Sequence, residues 1–152
     1  NNSNPLVYII AGEASGDLIG ARLIQALQKK YQGQIRFAGI GGPRMTEAGL
    51  QSLFPFTELS LMGFVEILPH LRRLFQRIEQ TVADIKTQRP AIVITIDSPG
   101  FNCRVVQQLR KVRPHGMKFV HYVAPTVWAY KPERAKKFAA LFDTMLVLLP
   151  FE

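Results

Sequence analysis

A run of β-branched residues near the middle of the chain most constrains what it can fold into. Residues 91–96 read Ala-Ile-Val-Ile-Thr-Ile, without the alternation expected of a strand that has one face in water. A strand of this composition is covered on both faces, which is typical of parallel sheets flanked by helices. The run therefore predicts a central strand of a parallel α/β sheet.

Further strands alternate with helices on both sides of this run. The other predicted strands are 7–10, 34–40, 52–54, 118–123 and 144–149, and the predicted helices are 18–31, 44–50, a segment from about 64 or 69 to 87, 101–112 and 131–142. Repeated βα units imply a doubly wound, mainly parallel, Rossmann-like sheet. The length of 152 residues suits a single domain over residues 1–152.

The net charge indicates which partners the chain could bind, and the cysteine content limits its covalent cross-links. Nineteen Lys and Arg against eleven Asp and Glu give a net charge of +8, which favours phosphates, nucleic acid or an acidic membrane surface. A merely basic surface explains the charge equally well. The single cysteine, Cys103, excludes an internal disulfide and is interpreted as a small buried hydrophobe. No signal peptide is visible, and no apolar run approaches the ~20 residues of a membrane span.

The first strand runs into Ala-Gly-Glu-Ala-Ser-Gly-Asp at residues 11–17. The glycines allow a sharp turn at the carboxyl end of the strand, where ligands bind in open α/β sheets. The motif lacks the spacing of a P-loop or a dinucleotide fingerprint, and its two carboxylates would repel a bare phosphate. The residues predicted to bind sugar hydroxyls are Glu13, Ser15, Gly16 and Asp17. Alternatively, Ser15 or Asp17 caps the helix that follows, and Glu13 and Asp17 compensate the dipole at its start.

Glycines and an arginine follow the second strand. Gly42 and Arg44 belong to the sequence Gly-Ile-Gly-Gly-Pro-Arg-Met at residues 39–45. Flexible backbone N–H groups beside a guanidinium suit a phosphate, so both residues are predicted to bind substrate. A tight turn with a solvated arginine explains the same residues, and this alternative stays open.

Asp97 directly follows the central strand and is the predicted catalytic residue. A carboxylate at that point lies in the cleft and is partly desolvated, where a raised pKa suits a general base. Ser98 and Asn102 follow it and are predicted to bind substrate. In the structural alternative, Asp97 or Ser98 caps the helix that begins near Phe101, and Asn102 acts as a cap too.

The strand over residues 118–123 leads into aromatic and hydroxyl residues that suit a sugar or acyl pocket. Tyr122, Pro125 and Trp128 are predicted to bind substrate there. His121 is interpreted as a core residue. Because the three histidines of the chain lack the spacing of metal ligands, no metal site is predicted.

The segment over residues 61–78 is more apolar than a core-facing helix requires. A stripe with helical spacing accounts for part of it as core, namely Leu68, Leu71, Phe75, Ile78, Val82 and Ile85. The apolar excess beside arginines is typical of a helix at a membrane interface. The residues predicted to contact a membrane or acyl chains are Met62, Phe64, Val65, Ile67, Leu68, Leu71, Arg72, Arg73, Leu74 and Phe75. Packing on a further domain or a partner subunit is the alternative.

Six short motifs, in order along almost the whole chain, resemble those of the lipid-A-disaccharide synthase family. They are AGEASGD at 11–17, GPRM at 42–45, LMGFVE at 61–66, IDSPGFN at 96–102, HYVAPTVWA at 121–129 and LPFE at 149–152. Each motif alone is weak, but the ordered set is highly specific.

The resemblance implies the N-terminal, acceptor-side half of a GT-B glycosyltransferase, with the C-terminal nucleotide-sugar domain absent from this chain. The predicted last strand is followed by only three residues, 150–152, which fits a fragment. The implied reaction is inverting: UDP-2,3-diacylglucosamine and 2,3-diacylglucosamine 1-phosphate give lipid A disaccharide 1-phosphate and UDP. Asp97 matches the family's essential acidic position and would be the base. Gly100 stands where many relatives carry a second Asp, so no paired-carboxylate mechanism is expected.

The resemblance also implies partners and a location. The implied partners are the acylated glucosamine phosphate and UDP-sugar substrates, an anionic membrane surface and the absent C-terminal domain; a homodimer is compatible with it. The UDP-sugar is a substrate, so no cofactor is expected, and neither a metal nor a nucleic acid is. The implied location is cytoplasmic, peripheral on the inner face of the inner membrane. The fragment alone is expected to be inactive.

Two other functions compete with this interpretation. A non-enzymatic Rossmann-like module that binds nucleotides or anions would bind UDP without lipid. A nucleic-acid binder, suggested by the net charge, would lose its ligand steeply as salt rises. The basic residues are spread over several helices and do not form one stripe with stacking aromatics, which disfavours the second alternative.

Overall fold

The computed structural model describes residues 4–59, 68–97, 99–112, 116–123 and 143–147. The strands in this part of the chain are β1 (Leu6–Ala11), β2 (Arg36–Ile40), β3 (Ile92–Ile96), β4 (Lys118–Val123) and β5 (Thr144–Val147). The helices are α1 (Ala14–Lys30), α2 (Pro43–Glu47), α3 (Leu68–Gln88) and α4 (Pro99–Val112). All strand pairs are parallel, in the order β2-β1-β3-β4-β5, which confirms the predicted doubly wound α/β sheet.

The β-branched run forms the centre of this sheet. β3 pairs with β1 on one side and β4 on the other, so that Ile96 lies beside both Ala11 and Tyr122. Val93, Ile94, Thr95 and Ile96 are all buried. The register aligns the carboxyl ends of the three strands, so the loops that follow them share one edge of the sheet.

Each face of the sheet has its own apolar core. On one face, Tyr8, Ile10 and Val93 pack with residues of α3 and α4 such as Ile78 and Leu109. On the other face, the alternate strand residues pack against α1 and α2, and they include Val7, Ile9, Ile94 and Ile96. Helices therefore cover both faces, as the absence of alternation in β3 predicts.

Several predicted bounds differ from those observed. α1 begins at Ala14, four residues before the predicted start, and β2 begins at Arg36 instead of Gln34. The strand predicted over residues 52–54 is reduced to an isolated bridge between Ser52 and Gly39. Leu53 donates its backbone N–H to the carbonyl of Gly39 at 2.8 Å, and Pro55 then ends the pairing because it has no N–H. The helix predicted over 131–142 lies outside the described residues.

The apolar stripe of α3 is rotated from the predicted one. Ile78, Val82 and Ile85 are buried, as predicted, but Phe75 is 49% exposed, so its place in the core stripe was wrong. Leu74, predicted to contact lipid, is instead partly buried and packs on the core. Leu74 and Phe75 lie four and three residues before Ile78, and both spacings are compatible with one helix face. The packing of the helix places Leu74 on the core and leaves Phe75 exposed.

A partly buried hydrogen bond also joins α3 to the sheet. The hydroxyl of Tyr8 donates to Asp84 Oδ2 at 2.7 Å, and Gln88 Nε2 lies 2.9 Å from both oxygens of the same carboxylate. Burial, and then the Asp84 carboxylate, raises the pKa of Tyr8 well above its usual range. Among the described helices, none combines the length and the apolar character that a membrane span requires.

Candidate active site

Two of the predicted ligand loops are joined by the side chain of Asp17. Its Oδ1 accepts hydrogen bonds from the backbone N–H groups of Gly42 at 2.9 Å and Met45 at 3.0 Å. Its Oδ2 accepts the backbone N–H of Arg44 at 3.0 Å. Asp17 is only 2% exposed. It therefore caps α2, the neighbouring helix, by satisfying N–H groups that have no partner within that helix.

This contact corrects the two roles predicted for Asp17. The residue that precedes α1 is Glu13, which makes no side-chain capping bond, and Asp17 lies in the first turn of α1. Its carboxylate is occupied by three backbone donors and is buried, so it does not cap its own helix and is not placed to bind a sugar hydroxyl. Asp17 is a structural link between the first turn of α1 and the loop after β2.

Gly42 is required by that link. A Cβ at Gly42 would lie 2.6 Å from Asp17 Oδ2 and 2.8 Å from Cζ of Phe56, closer than real Cβ atoms approach other groups. Gly42 is also buried. Gly42 therefore has a packing role instead of the predicted contact with substrate, because only a residue without a side chain leaves room for the Asp17 carboxylate.

Met45 fills the space between the first two helices. It is fully buried, and a Cβ at either Gly20 or Gly41 would lie 2.5 Å from its sulfur. Ser52 accepts the backbone N–H of Gly41 at 3.1 Å and donates to the carbonyl of Phe54 at 2.6 Å. Sequence reasoning missed Ser52 as a loop-holding residue, because a serine within a predicted strand carries no signal of this contact.

The exposed polar groups of these loops are Glu13, Ser15 and Arg44. They are accessible at the carboxyl edge of the sheet, and their contact with a ligand stays a prediction. Gly16 differs from them because it is buried in α1. A Cβ there would lie 3.2 Å from Cγ2 of Ile96 and 3.4 Å from Cβ of Ala11, so Gly16 allows the helix to approach the sheet closely.

Asp97 ends the central strand with a left-handed backbone, with φ of 48°. It is half-buried, and its backbone N–H donates to the carbonyl of Tyr122 at 3.0 Å. Non-glycine residues adopt this conformation at a cost, and the surrounding structure must hold them in it. Such residues cluster at functional sites, and the catalytic role of Asp97 stays a prediction.

Asn102 holds the other side of Asp97. It is fully buried in α4, and its Nδ2 donates to the backbone carbonyl of Asp97 at 2.7 Å. The predicted contact of Asn102 with a substrate hydroxyl is therefore replaced by a contact with the protein backbone. Tyr122, another predicted binding residue, is half-buried in β4 and accepts the Asp97 N–H through its carbonyl. Ser98, Pro125 and Trp128 lie outside the described residues.

A buried histidine lies in β4, two residues before the carboxyl end of that strand. His121 is fully buried, and its Nδ1 lies 2.5 Å from Oγ1 of Thr95, on the neighbouring strand. Burial lowers the pKa of His121 to about 4, so the imidazole is uncharged at neutral pH. The interpretation of His121 as a core residue is confirmed. Thr95 was missed as its partner, because the parallel register that places them side by side is a tertiary feature.

The cations predicted to face a membrane are placed unequally. Arg72 is exposed, whereas Arg73 Nε lies 3.3 Å from Glu58 Oε1 and its side chain is 62% exposed. Arg77, which is near them on α3, forms an ion pair with Glu58 and stacks 4.7 Å above the ring of Phe54. The other predicted contact residues, Met62, Phe64, Val65, Ile67 and the side chains of Leu68 and Leu71, lie outside the described set.

No group of three or more His, Cys, Asp or Glu side chains in the described part of the chain could hold a metal ion. Cys103 is partly buried, and burial raises the pKa of its thiol, although Arg104 acts in the opposite direction. A thiol with a raised pKa is a poor nucleophile at neutral pH. At the described edge of the sheet, Glu13, Ser15 and Arg44 are exposed and Asp97 is half-buried.

Comparison with known proteins identifies the family. The family model described as lipid-A-disaccharide synthetase matches residues 7–152. The chain belongs to the lipid-A-disaccharide synthetase family. The lipid-A-disaccharide synthases of Granulibacter bethesdensis, Rickettsia akari and Gluconobacter oxydans are 59%, 56% and 52% identical to it. These matches cover 97%, 96% and 97% of this chain.

The chain spans little more than a third of the length of these relatives. It covers 37% of the Granulibacter bethesdensis and Rickettsia akari proteins and 34% of the Gluconobacter oxydans protein. The resemblance of the six motifs to the lipid-A-disaccharide synthetase family is confirmed by these matches.

A solved structure shares the fold. The chain is similar to the glycosyltransferase SnogD from Streptomyces nogalater, with a TM-score of 0.56 and 15% sequence identity. The similarity covers 96% of this chain and 43% of that one. This similarity agrees with the predicted Rossmann-like α/β fold.

Proposed function

We propose that this chain forms the acceptor side of an inverting glycosyltransferase of lipid A biosynthesis. The proposed reaction joins UDP-2,3-diacylglucosamine to 2,3-diacylglucosamine 1-phosphate and gives lipid A disaccharide 1-phosphate and UDP. Membership of the lipid-A-disaccharide synthetase family supports the reaction. The observation that carries the proposal is Asp97, held in a left-handed conformation at the carboxyl end of the central strand.

In the proposed reaction Asp97 is the general base. Its carboxylate takes the proton from the 6-hydroxyl of the acceptor, and the hydroxyl oxygen forms a bond to the anomeric carbon of the donor. The bond from that carbon to the UDP oxygen breaks, and UDP leaves with the electron pair. Base and leaving group lie on opposite faces of the sugar, which is the geometry required for inversion.

Exposed side chains at the same edge of the sheet as Asp97 are proposed to bind the acceptor. Glu13 and Ser15 are accessible beside the end of β1, next to β3, and suit sugar hydroxyls. Arg44 is accessible beside β2 and suits the 1-phosphate, because a guanidinium binds phosphate oxygens through paired N–H donors. UDP is proposed to contact mainly residues beyond this chain, and neither a cofactor nor a metal takes part.

We propose that the exposed face of α3 contacts an anionic membrane. Phe75 is 49% exposed, Arg104 lies 5.7 Å above its ring, and Arg72 is exposed near it on the same helix. An accessible aromatic ring beside cations suits the interface between headgroups and acyl chains. The proposed location is accordingly peripheral, on the cytoplasmic face of the inner membrane.

A hybrid enzyme tests the proposed reaction. This chain would replace the matched segment of the Granulibacter bethesdensis synthase, to which it is 59% identical over 148 residues. We expect the hybrid to form the disaccharide from the two acylated sugars. We expect Asp97→Asn to lower kcat by about a thousandfold, which lies within the rate enhancement that one acid–base group supplies. The control is Glu47→Gln, an exposed acid on α2. Near-normal turnover of Asp97→Asn would exclude Asp97 as the base.

Ligand binding by the chain alone distinguishes this proposal from a non-enzymatic module that binds nucleotides or anions. We expect saturable binding of 2,3-diacylglucosamine 1-phosphate in mixed micelles that survives high salt, with little binding of UDP and no turnover. Strong UDP binding without lipid binding would favour a nucleotide-binding module. Binding to any polyanion that disappears with salt would leave only the effect of the net charge.

A further inference from the structure

We infer that Asn102 is a positioning residue for the reaction and does not contact the acceptor. It holds the backbone of Asp97 in the conformation from which the carboxylate would act. The inference rests on the proposed function and differs from the sequence-based prediction that Asn102 binds substrate directly.

The contact between the two residues fixes the orientation of the Asn102 amide. Asn102 Nδ2 lies 2.7 Å from the backbone carbonyl oxygen of Asp97, five positions earlier in the chain. A carbonyl oxygen only accepts hydrogen bonds, so the group that faces it must be the NH₂ of the amide. The bond is buried on the Asn102 side, because that residue has no exposed surface.

Asp97 is consequently held by its backbone groups from two directions. Its N–H donates to Tyr122 on β4 at 3.0 Å, and its carbonyl accepts from Asn102 on α4. These bonds restrain the peptide groups on both sides of the Asp97 Cα, where φ is 48°. A residue persists in this costly conformation only when its surroundings over-determine it, and these two bonds provide that restraint.

Stability alone gives little reason for a polar side chain at position 102. Asn102 Oδ1 is buried and accepts no hydrogen bond from the residues that the structure describes. A buried amide that is only half satisfied costs free energy, which a leucine of similar volume would avoid. A leucine could not donate a hydrogen bond to the Asp97 carbonyl, whereas the Asn102 amide does.

Asn102→Asp keeps the shape of the side chain and replaces the amide donor with a carboxylate, which also adds a charge. Its carboxylate would face the carbonyl of Asp97 and repel it. Asn102→Leu removes the same bond without adding a charge. Gln107→Glu is the matched control, since Gln107 is an exposed amide on the same helix.

Hydrogen exchange of the Asp97 amide tests the restraint without any need for activity. In the full chain we expect exchange to accelerate by about tenfold or more in Asn102→Asp and Asn102→Leu, which is the factor that corresponds to one lost buried hydrogen bond. We expect no change in Gln107→Glu. Unchanged exchange in both Asn102 variants, with the fold intact, would overturn the inference.

Kinetics of the hybrid enzyme distinguish positioning from substrate contact. We expect Asn102→Leu to lower kcat by about tenfold with KM unchanged, and to cause no further loss when Asp97→Asn is already present. A raised KM, or a loss that adds to that of Asp97→Asn, would show a direct contact and overturn the inference. An inactive unsubstituted hybrid would count against the proposed function. The exchange rate of the Asp97 amide tests the restraint by Asn102 independently of activity.

Discussion

Asp17 Oδ1 lies 2.9 Å from the backbone nitrogen of Gly42 and accepts its hydrogen bond across 25 positions of the chain. A single buried carboxylate therefore holds the start of α1 against the loop after β2. Two further backbone N–H groups, those of Arg44 and Met45, donate to the same side chain. The position of the exposed Arg44 guanidinium relative to Ser15 and Glu13 consequently depends on Asp17.

Asp17→Asn tests this link. The amide retains one acceptor oxygen but presents NH₂ to at least one backbone N–H that now donates to a carboxylate oxygen. We expect the free energy of unfolding to fall by about 2 kcal/mol, because a buried donor is left without its acceptor. Urea denaturation measures the loss. Glu47→Gln, an exposed acid on α2, should shift stability by less than about 0.5 kcal/mol; equal effects of both changes would contradict the link.

The left-handed backbone of Asp97 predicts that glycine is more stable than alanine at this position, which reverses their usual order. Alanine is normally more stable than glycine within ordered structure, but φ of 48° favours glycine. We expect Asp97→Gly to be more stable than Asp97→Ala by about 1 kcal/mol. Thermal unfolding of the two variants measures the difference.

Gly100 provides the matched control for this comparison. It lies in α4, is exposed, and a Cβ there would meet no atom within 4 Å. Gly100→Ala should therefore stabilise the chain by about 0.5–1 kcal/mol, the ordinary order for the two residues. The same order at both positions would show that the Asp97 backbone is not strained in solution.

The buried His121 predicts a loss of stability in mild acid. Burial lowers the pKa of His121 from 6.5 to about 4, so the unfolded chain binds a proton at higher pH than the folded chain does. Between these two values the unfolded state carries more protons, and stability falls as the pH falls. We expect the loss to reach about 3 kcal/mol at the lower end.

Urea denaturation across the same pH range measures this dependence. His121→Gln should flatten it while lowering stability at neutral pH, since the bond to Thr95 Oγ1 is altered. Asp143 is a separate source of acid sensitivity, because the N–H of Phe119 holds the pKa of its carboxyl below the usual range. Its contribution is lost at lower pH than that of His121. An unchanged slope in His121→Gln would contradict the assignment.

Leu74 and Phe75 are neighbours in sequence, but the same substitution should destabilise the protein more at Leu74 than at Phe75. Leu74 packs on the core, so Leu74→Ser should lower the free energy of unfolding by about 2 kcal/mol. Phe75 is 49% exposed, so Phe75→Ser should cost less than about 1 kcal/mol, including its contact with Arg104. Urea denaturation measures both changes.

The same pair tests the proposed membrane contact. Phe75→Ser should weaken binding to vesicles that contain anionic phospholipid while leaving the fold intact. Leu74→Ala, which keeps an apolar surface and acts on the core, is the comparison. If Phe75→Ser binds the vesicles as tightly as the unsubstituted chain, the exposed face of α3 is not the contact surface.

Much of the fold could be predicted because the apolar pattern reports burial directly. Residues 92–96 lack alternation because helices cover both faces of β3, and this is a local property of the sequence. The stripe of α3 was predicted correctly from Ile78 onward and wrongly at Phe75. Both Leu74 and Phe75 are apolar, so hydrophobic spacing alone could not tell which of them faces the sheet.

The sequence by itself determined the parallel α/β class, the order of the elements and the position of Asp97 after the central strand. Only the tertiary structure decided what the polar side chains do. Asp17 caps a helix 25 positions away, and Asn102 donates to the backbone of Asp97. Periodicity arises from neighbours along one element and can be seen in the sequence. A hydrogen-bond partner is set by which strand ends and helices come together, and this depends on the packing of the whole sheet.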